Sequence, residues 1–274
     1  MSDDKIKNIV RENYARKVKK QQSCCAPVEP CCGDMDLNGH VSQQIGYSEE
    51  EIKSVPDEAN LGLGCGNPVA IASLKPGETV LDLGAGAGFD CFLAANRVGR
   101  TGRVIGIDMT EEMVDKARDN AKKGKFDNVE FRLGDIEALP VDDDSVDIVI
   151  SNCVINLTPN KDKAFKEAFR VLKPGGRIVI SDIVLLKELP DFIKNSAQAY
   201  VACVAGASLK EDYMAIIRET GFQDVTIVDE ASFPIDCIGN DPGVQPVLEN
   251  WGLTPDQANE AVNSVVSIKV SAVK

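Results

Sequence analysis

The chain has 274 residues, 43 % of them hydrophobic and 27 % charged, with a formal net charge of −13 at pH 7. This length can bury a sizeable core, either as one large domain or as one domain with an appendage. A negative surface repels nucleic acid and anionic membranes, so neither is expected as a partner, and a neutral or cationic small substrate fits better. With no apolar run of membrane-spanning length and no signal-peptide pattern, we expect a soluble cytoplasmic protein.

The first 58 residues are predicted to form an extension of helix and loop. Apolar residues at helical spacing predict an amphipathic helix over about residues 3–20. The following stretch, 21–40, has no periodicity and contains two Cys-Cys pairs, so a loop is expected there. Ser48 and Glu51 have the spacing of a capping box for a short helix, which Pro56 brings to an end.

From about residue 78 the pattern alternates regularly between strands and helices. Strands are predicted at ETVLDL, GRVIGIDM, NVEFRLGD, SVDIVISN and GRIVISDIV, and later at DVTIVDE and SVVSIKVSAV. Helices of crossover length between such strands indicate an α/β fold with a mostly parallel, doubly wound sheet. We therefore divide the chain into an N-terminal extension at 1–58, a core at 59–184 and a C-terminal region at 185–274.

A glycine-rich turn follows the first of these strands. The stretch VLDLGAGAG places Gly84, Gly86 and Gly88 directly after the strand and at the start of a helix. Small residues at this point let the backbone approach a ligand that lies across the strand ends. The spacing is GxGxG and not the GxGxxG of dinucleotide-binding proteins, although the turn alone is compatible with a nucleotide dehydrogenase.

Acidic residues mark the same edge of the predicted sheet. Asp82 lies inside the first strand, Asp108 ends the second, where it can accept both hydroxyls of a ribose, and Asp135 follows the third, where it can meet an adenine amino group. Roles in turns or caps are the alternative for the last two. The joint pattern resembles the class I methyltransferases that bind S-adenosylmethionine, and carboxylates favour such a sulfonium-ammonium cofactor whereas they would repel a pyrophosphate.

The nine cysteines carry more specific information. A reducing compartment keeps thiols free for soft-metal binding, redox work or burial. Three cysteine segments, SVPDEANLGLGCGNP, SNCVINL and CVAGA, stand in this order around the glycine turn and resemble the signature segments of the arsenite S-adenosylmethionine methyltransferases. IGIDMT and RVLKPGGR are also typical of that family, and the resemblance covers roughly residues 8–230.

The resemblance implies a Rossmann-like class I methyltransferase with a seven-stranded sheet and C-terminal additions that complete a metalloid site. It implies that Cys65, Cys153 and Cys203 hold As(III) as a trithiolate. Three sulfurs leave the lone pair of this soft centre free to attack the methyl group, so no general base is needed. The implied activity is arsenic detoxification, in which arsenite or its thiol conjugates are converted to mono- and further methylated arsenicals.

Methyl transfer formally oxidises As(III) to As(V), so a second transfer requires reduction. Neighbouring thiols can supply the electrons by forming a disulfide, which thioredoxin or glutathione then reopens. In the family a further upstream cysteine takes part in this relay, and Cys31 or Cys32 is its expected counterpart, with Cys24 and Cys25 as a receiving pair. Scavenging of arsenic and a tail without function are the alternatives.

Several further residues are assigned by their positions. Met109 and Ile136, next to the two acidic positions, belong to the predicted cofactor site, and Asn152 is expected to line its edge. Tyr14 is expected to cover the methionine end of the cofactor, with a core-facing aromatic as the alternative. Cys91 is expected to be a small buried hydrophobe in the core.

Two other functions stay open at this point. The first is a methyltransferase with a carbon or oxygen acceptor, whose activity would not depend on Cys65 or Cys203. The second is a thiol-rich protein that sequesters As(III), antimony or zinc.

Cys237 is a potential accessory thiol, and packing is its alternative. The single histidine, His40, lies in a polar segment and is expected to be a solvated loop residue and not a catalyst.

Overall fold

The computed structural model describes residues 2–22, 37–232 and 264–274. Seven strands in these ranges form one sheet: β1 (Thr79–Leu83), β2 (Arg103–Asp108), β3 (Val129–Leu133), β4 (Val146–Asn152), β5 (Leu172–Leu185), β6 (Gln223–Ser232) and β7 (Val265–Val273). Their order across the sheet is β3-β2-β1-β4-β5-β7-β6. The pairs from β3 to β5 are parallel, whereas β7 runs antiparallel to both β5 and β6. The predicted α/β fold with a mostly parallel, seven-stranded sheet is confirmed.

Helices of very different length surround this sheet. They are α1 (Asp3–Gln22), α2 (Leu37–Gln44), α3 (Glu49–Lys53), α4 (Pro68–Ile71), α5 (Phe89–Val98), α6 (Glu111–Gly124), α7 (Lys161–Val171), α8 (Asp191–Lys194), α9 (Ala197–Val201) and α10 (Lys210–Thr220). The predicted capping box is present, because Ser48 Oγ accepts from Glu51 N and the Glu51 carboxylate accepts from Ser48 N. None of the described helices is long and apolar enough to span a membrane.

Two boundaries differ from the sequence prediction. His40 lies exposed in α2, where a loop is expected. The sequence of this segment has low helical propensity, and tertiary contacts stabilise the helix, such as the hydrogen bond from Ser42 Oγ to Asn60 Oδ1 at 3.0 Å. The stretch KDKAFKEAFRVLKPGG predicts a helix that continues to Pro174, whereas α7 ends at Val171. There the buried Leu172 pairs with Val146 and starts β5 early, so strand pairing overrides the helical pattern.

Two apolar layers cover the two faces of the sheet. One contains Phe165 of α7 and Tyr213 of α10, and the other contains Phe92 of α5. Consecutive residues of β1 enter different layers, Val80 the second and Leu81 the first, as the alternation of a strand requires. Burying one side chain of this size contributes about 1.5–3 kcal/mol. The two layers fix the sheet so that the carboxyl ends of its parallel strands form one rigid edge.

A third, smaller apolar cluster lies at this edge. It contains Cys65, Cys153 and Cys203 together with Val10 of α1, and Tyr14 packs against it. Helix α1 also contacts α6 and α9, so it crosses the outer side of the strand ends. The fold therefore places the N-terminal helix over the region where ligands of open α/β sheets bind.

Candidate active site

A cavity opens at the carboxyl ends of β1, β2 and β4 and is closed on its outer side by α1 and the loop at 59–64. Most residues predicted for the cofactor line it: Tyr14, Asp82, Gly84, Gly86, Asp108, Met109, Asp135, Ile136 and Asn152. Gly88 is absent from this wall and caps the N-terminus of α5 instead, with a φ of 96°. Cys153 and Cys203 line the same cavity, so the thiol segments and the predicted cofactor residues share one space.

The glycine turn is held to β2 by hydrogen bonds to its backbone. Gly84 N donates to Ile107 O at 2.7 Å, and Gly86 N donates to Asp108 Oδ2 at 3.0 Å. The other oxygen of Asp108 accepts from Thr110 N at 2.8 Å. Burial raises the pKa of this carboxyl, and the backbone donors oppose that shift. Asp108 therefore shapes the turn in addition to the ribose role predicted for it.

Two buried carboxyl groups lie side by side at the base of the cavity. Asp82 is 3 % exposed and accepts from Cys91 Sγ at 3.1 Å, while Asp90 is 8 % exposed and accepts from the Tyr47 hydroxyl at 2.7 Å. Burial raises the pKa of Asp82 well above its usual range, with a further contribution from the charge of Asp90, and burial raises the pKa of Asp90 to about 6. Among the described residues neither group has a salt-bridge partner. Such a site suits a cationic ligand, as the sulfonium and ammonium groups of S-adenosylmethionine require.

Sequence reasoning misses Asp90. The residue lies in the first turn of α5, directly after the glycine turn. An acidic side chain at this position is sufficiently explained by its favourable interaction with the helix dipole. Its position two residues after the last glycine of the turn is the signal that could have placed it at the cofactor edge.

Helix α1 reaches the opposite end of the cavity through Lys7, which sequence reasoning also misses. Lys7 Nζ lies 2.7 Å from Asp135 Oδ2 and 2.9 Å from Glu137 Oε2. The second oxygen of Asp135 accepts from Glu137 N at 2.9 Å. The carboxylate predicted to meet adenine is therefore tied to the N-terminal helix, and the two carboxylates together raise the pKa of Lys7 against the opposing effect of burial.

The three predicted arsenic ligands belong to one apolar cluster at the strand ends, but the group of potential ligand atoms within 4.8 Å of one another contains Cys65, Cys153 and Asp182 and not Cys203. Cys65 and Cys153 form a disulfide with a Cα–Cα distance of 5.8 Å. Cys203 has a free, buried thiol, which donates to the Cys153 carbonyl at 3.0 Å and is hydrogen-bonded to Tyr14. Tyr14 thus contacts the thiol site as well as the cavity. Burial raises the pKa of Cys203 to about 12, so its proton is retained until a thiophilic ligand displaces it.

Two of these cysteines have an unusual backbone conformation. The φ angles of Cys153 and Cys203 are 60° and 64°, in the left-handed region that residues with a Cβ rarely adopt. Cys153 N donates to Ser181 O at 2.8 Å, which anchors the first of them to β5. Strained residues of this kind persist where the surrounding structure over-determines them, and they cluster at functional sites.

A buried carboxyl group accompanies the disulfide. A ligand oxygen of Asp182 lies within 4.8 Å of the Cys65 and Cys153 sulfurs, and all three groups are buried. Asp182 accepts from Asn156 Nδ2 at 2.7 Å and from the Tyr213 hydroxyl at 2.9 Å, and burial raises its pKa to about 7. Asp182 is not predicted from the sequence. Its position in the motif SDI, near the end of the buried strand β5 and next to the strand that leads to Cys153, could have indicated it.

The remaining cysteine predictions have different outcomes. Cys91 is fully buried in the core, as expected, and in addition donates to Asp82. The predictions for the other five cysteines lie outside the described residues: Cys24, Cys25, Cys31, Cys32 and Cys237.

Comparison with known proteins agrees with this geometry. The protein-family model for a methyltransferase domain matches residues 74–221, so fold and site define a class I, S-adenosylmethionine-dependent methyltransferase. The arsenite methyltransferase of Halobacterium salinarum is 50 % identical over 231 residues, which are 82 % of this chain and 59 % of the relative. The human arsenite methyltransferase is 33 % identical over 81 % of this chain and 59 % of its own length.

A solved structure extends the comparison. The crystal structure of an arsenic(III) S-adenosylmethionine methyltransferase from Chlamydomonas reinhardtii superposes with a TM-score of 0.64 and 32 % identity, over 85 % of this chain and 73 % of that one. The chain belongs to the arsenite methyltransferase family. It spans about six tenths of the length of the halobacterial and human relatives.

Proposed function

We propose that this chain transfers methyl groups from S-adenosylmethionine to As(III) held by cysteine thiolates, giving mono- and further methylated arsenicals. The observation that carries the proposal is the position of Cys153, which lines the cofactor cavity and is bonded to Cys65. A thiol-bound centre at this point lies next to the methyl donor. Holding both reactants in one alignment is worth up to roughly 7 to 11 kcal/mol.

The catalytic cycle begins with reduction of the Cys65–Cys153 disulfide. Two equivalents of an external thiol, or one dithiol protein such as thioredoxin, yield two protein thiols and one new disulfide outside the pair. Arsenous acid then exchanges its hydroxyl groups for thiolates, and each thiol proton leaves with a hydroxyl as water. For Cys203 to join as the third ligand, its thiol gives up the hydrogen bonds to the Cys153 carbonyl and to Tyr14.

The residues of the cavity then bind and orient the methyl donor. S-Adenosylmethionine, when bound, supplies an electrophilic methyl group on a sulfonium. Asp82 and Asp90 offer negative charge for its cationic end, and Asp108 accepts from the ribose. The apolar cluster around the thiols and the cover provided by α1 keep water away from the arsenic centre.

The test is an anaerobic turnover assay with As(III), S-adenosylmethionine and thioredoxin or glutathione, in which the arsenic species are separated and counted over time. Methylated arsenic in excess over enzyme is expected. Arsenic that is bound but never methylated would contradict the proposal and favour a sequestering protein. Methylation of a carbon or oxygen acceptor that is insensitive to Cys65 and Cys203 would equally contradict it.

The variant Cys153→Ser is expected to reduce methylation at least a hundredfold and to leave S-adenosylmethionine binding nearly intact, because only the arsenic ligand is lost. Cys91→Ser is the matched control, since serine can still donate to Asp82 from the same buried position. Binding is measured by calorimetry and turnover by arsenic speciation. Loss of cofactor affinity together with activity in Cys153→Ser would favour a structural role for that thiol.

The reducing relay is part of the same proposal. We assign Cys31 or Cys32 as the further cysteine that takes part in the disulfide relay with the arsenic site, and Cys24 and Cys25 as the receiving pair. Replacing all four by serine is expected to preserve the first methyl transfer in a single-turnover experiment and to stop later ones. Sustained turnover of that variant with glutathione would remove the relay from the mechanism.

A further inference from the structure

The side chain of Asn152 makes contacts that a place in the cofactor wall does not explain. Asn152 ends β4 and directly precedes Cys153. Its Oδ1 accepts from Cys65 N at 3.0 Å, and its Nδ2 donates to Gly66 O at 2.8 Å. One carboxamide therefore brackets Cys65 on both sides while its own backbone continues into Cys153.

The loop around Cys65 is shaped to accept this contact. A Cβ at Gly64 would lie 2.8 Å from Asn152 Nδ2, and a Cβ at Gly66 would lie 2.1 Å from Ser181 Oγ. Gly64 also has a φ of 123°, which residues with side chains rarely adopt. The two glycines let the Cys65 backbone press against the carboxamide on one side and against β5 on the other.

The carboxamide is itself fixed from the cofactor side. Asn152 Nδ2 lies 2.9 Å from the Tyr47 hydroxyl and 3.1 Å from Asp90 Oδ2, and the same hydroxyl donates to Asp90 Oδ1 at 2.7 Å. The reverse orientation would turn the amide oxygen toward the Asp90 carboxylate, where two acceptors would face each other. The network therefore selects the orientation that leaves Oδ1 free to accept from Cys65 N.

We propose that Asn152 is a positioning residue for the thiol pair, because it fixes the backbone of Cys65 relative to Cys153 so that both sulfurs can bind one As(III) centre. This role deepens the proposed function and rests on it for the identity of the bound ligand. When the backbone is fixed in this way, the effective concentration of the Cys65 thiol near the Cys153 thiol is high. This favours both formation of the disulfide and binding of one As(III) centre by the two sulfurs.

The test measures that effective concentration directly. In the full chain with six cysteines replaced by serine, the Cys65–Cys153 disulfide is equilibrated with reduced and oxidised glutathione, and its oxidised fraction is measured by alkylation and mass spectrometry. The six replaced positions are Cys24, Cys25, Cys31, Cys32, Cys203 and Cys237. In this background Asn152→Ala is expected to lower the equilibrium constant for disulfide formation at least tenfold. Asn96→Ala, an exposed asparagine of α5, is the matched control and should leave it unchanged.

A second variant and a second readout separate positioning from other roles. Tyr47→Phe removes one anchor of the carboxamide and should shift the same constant in the same direction by a smaller factor. Because Asn152 also lines the cofactor cavity, Asn152→Ala should weaken S-adenosylmethionine binding as well, but by a smaller factor than it lowers the equilibrium constant for disulfide formation. An unchanged redox equilibrium in a folded Asn152→Ala, or a larger loss of cofactor affinity than of disulfide formation, would overturn the role.

The test of the positioning role is still decisive if Asn152→Ala does not fold. In that case Tyr47→Phe decides, and an unchanged constant there overturns the role. Because the redox measurement needs no arsenic, a failed turnover assay combined with a lowered constant would keep the positioning role and reject only the acceptor.

Discussion

Asp82, Asp90 and Asp182 are three buried carboxyl groups near the strand ends, and burial raises the pKa of each of them. Each is stabilised in its neutral form until a cation or additional donors approach. In the proposed function Asp82 and Asp90 accompany the cationic end of the methyl donor, whereas Asp182 lies beside the sulfurs of Cys65 and Cys153. Burial therefore has the same effect on the pKa of all three carboxyl groups, although their neighbours differ.

The buried Asp182 makes stability depend on pH in a defined direction. Its pKa rises from 3.8 to about 7 on folding, so between these values the folded group holds a proton that the unfolded group has lost. Unfolding then releases a proton, and rising pH destabilises the protein by up to about 1.4 kcal/mol per pH unit for this group. Asp182→Asn should therefore gain stability relative to the parent as pH rises from about 4 to 7, with no further relative change above it.

Urea unfolding at several pH values checks this prediction. The exposed Asp119→Asn controls for the loss of one negative charge. A stability difference between Asp182→Asn and the parent that does not change with pH would show that the carboxyl is ionised throughout.

Only some of these residues could be found from the sequence, and the reason is the range of their contacts. Asp108 and Asp135 follow predictable strands, so the strand pattern alone places them at one edge. Asp90 gains its role from Tyr47 and Asn152, which are 43 and 62 residues away in the chain. Lys7 meets Asp135 across 128 residues. No local sequence pattern predicts contacts between residues so far apart in the chain.

At the scale of elements, α1 connects the two ends of the cavity. Lys7 binds the carboxylates at one end, and Tyr14 contacts the Cys203 thiol at the other. The sequence predicts this helix from its periodicity, and Asp3–Gln22 confirms it. A place for this helix over the cofactor was expected from Tyr14, but its second attachment was not, because the ion pairs of Lys7 join it to a distant loop.

Lys7→Met should loosen this helix, because it removes the shared cation and leaves Asp135 and Glu137 facing each other. Amide hydrogen exchange in residues 3–18 is expected to accelerate at least tenfold, while exchange in β1 stays unchanged. Lys5→Met, at an exposed position of the same helix, is the control. Equal exchange in Lys7→Met and the parent would show that apolar packing alone holds α1.

The glycine turn offers a comparison of two positions with similar backbone and different surroundings. Gly84 and Gly86 have φ angles of 73° and 53°, but a Cβ at Gly84 would lie 2.2 Å from Val154 Cγ2, whereas nothing lies within 4 Å of one at Gly86. Both alanine variants carry a cost of about 1–2 kcal/mol for the left-handed backbone. Gly84→Ala should cost more, because it must also displace Val154, the residue after Cys153.

Chemical denaturation of the two variants measures the difference. Gly84→Ala should be the less stable by at least about 1 kcal/mol, in the range of overpacked sites. Equal stabilities would mean that Val154 moves aside freely and does not transmit the clash to Cys153.

For the whole molecule, the sheet depends on a strand that the sequence places far from its partners. The alternating pattern of SVVSIKVSAV predicts β7, and its insertion between β5 and β6 makes the sheet order of the class I methyltransferases. The neighbours of β7 could not be read from its own residues, because strand order is a property of the complete chain. The domain division at 58 and 184 stays a prediction.

One hydrogen bond links β7 to the loop that contains Cys65. Ser267 Oγ donates to the Cys65 carbonyl at 2.7 Å, and both groups are buried. Ser267→Ala should lower the free energy of unfolding by about 1–3 kcal/mol, because the carbonyl is left buried without this donor. Urea denaturation gives the loss, and the exposed Ser54→Ala serves as control. A loss below that of the control would show that water replaces the hydroxyl.

The same contact has a consequence for the order of events during synthesis. Cys65 and Ser267 are separated by 202 residues, so the ribosome releases the first long before the second exists. At an elongation rate of about 5–20 residues per second, this interval lasts on the order of ten seconds or more. Throughout it, Cys65 lacks the strand that secures its loop. The loop that contains Cys65 can therefore reach its final arrangement only after the last strand of the sheet has been made.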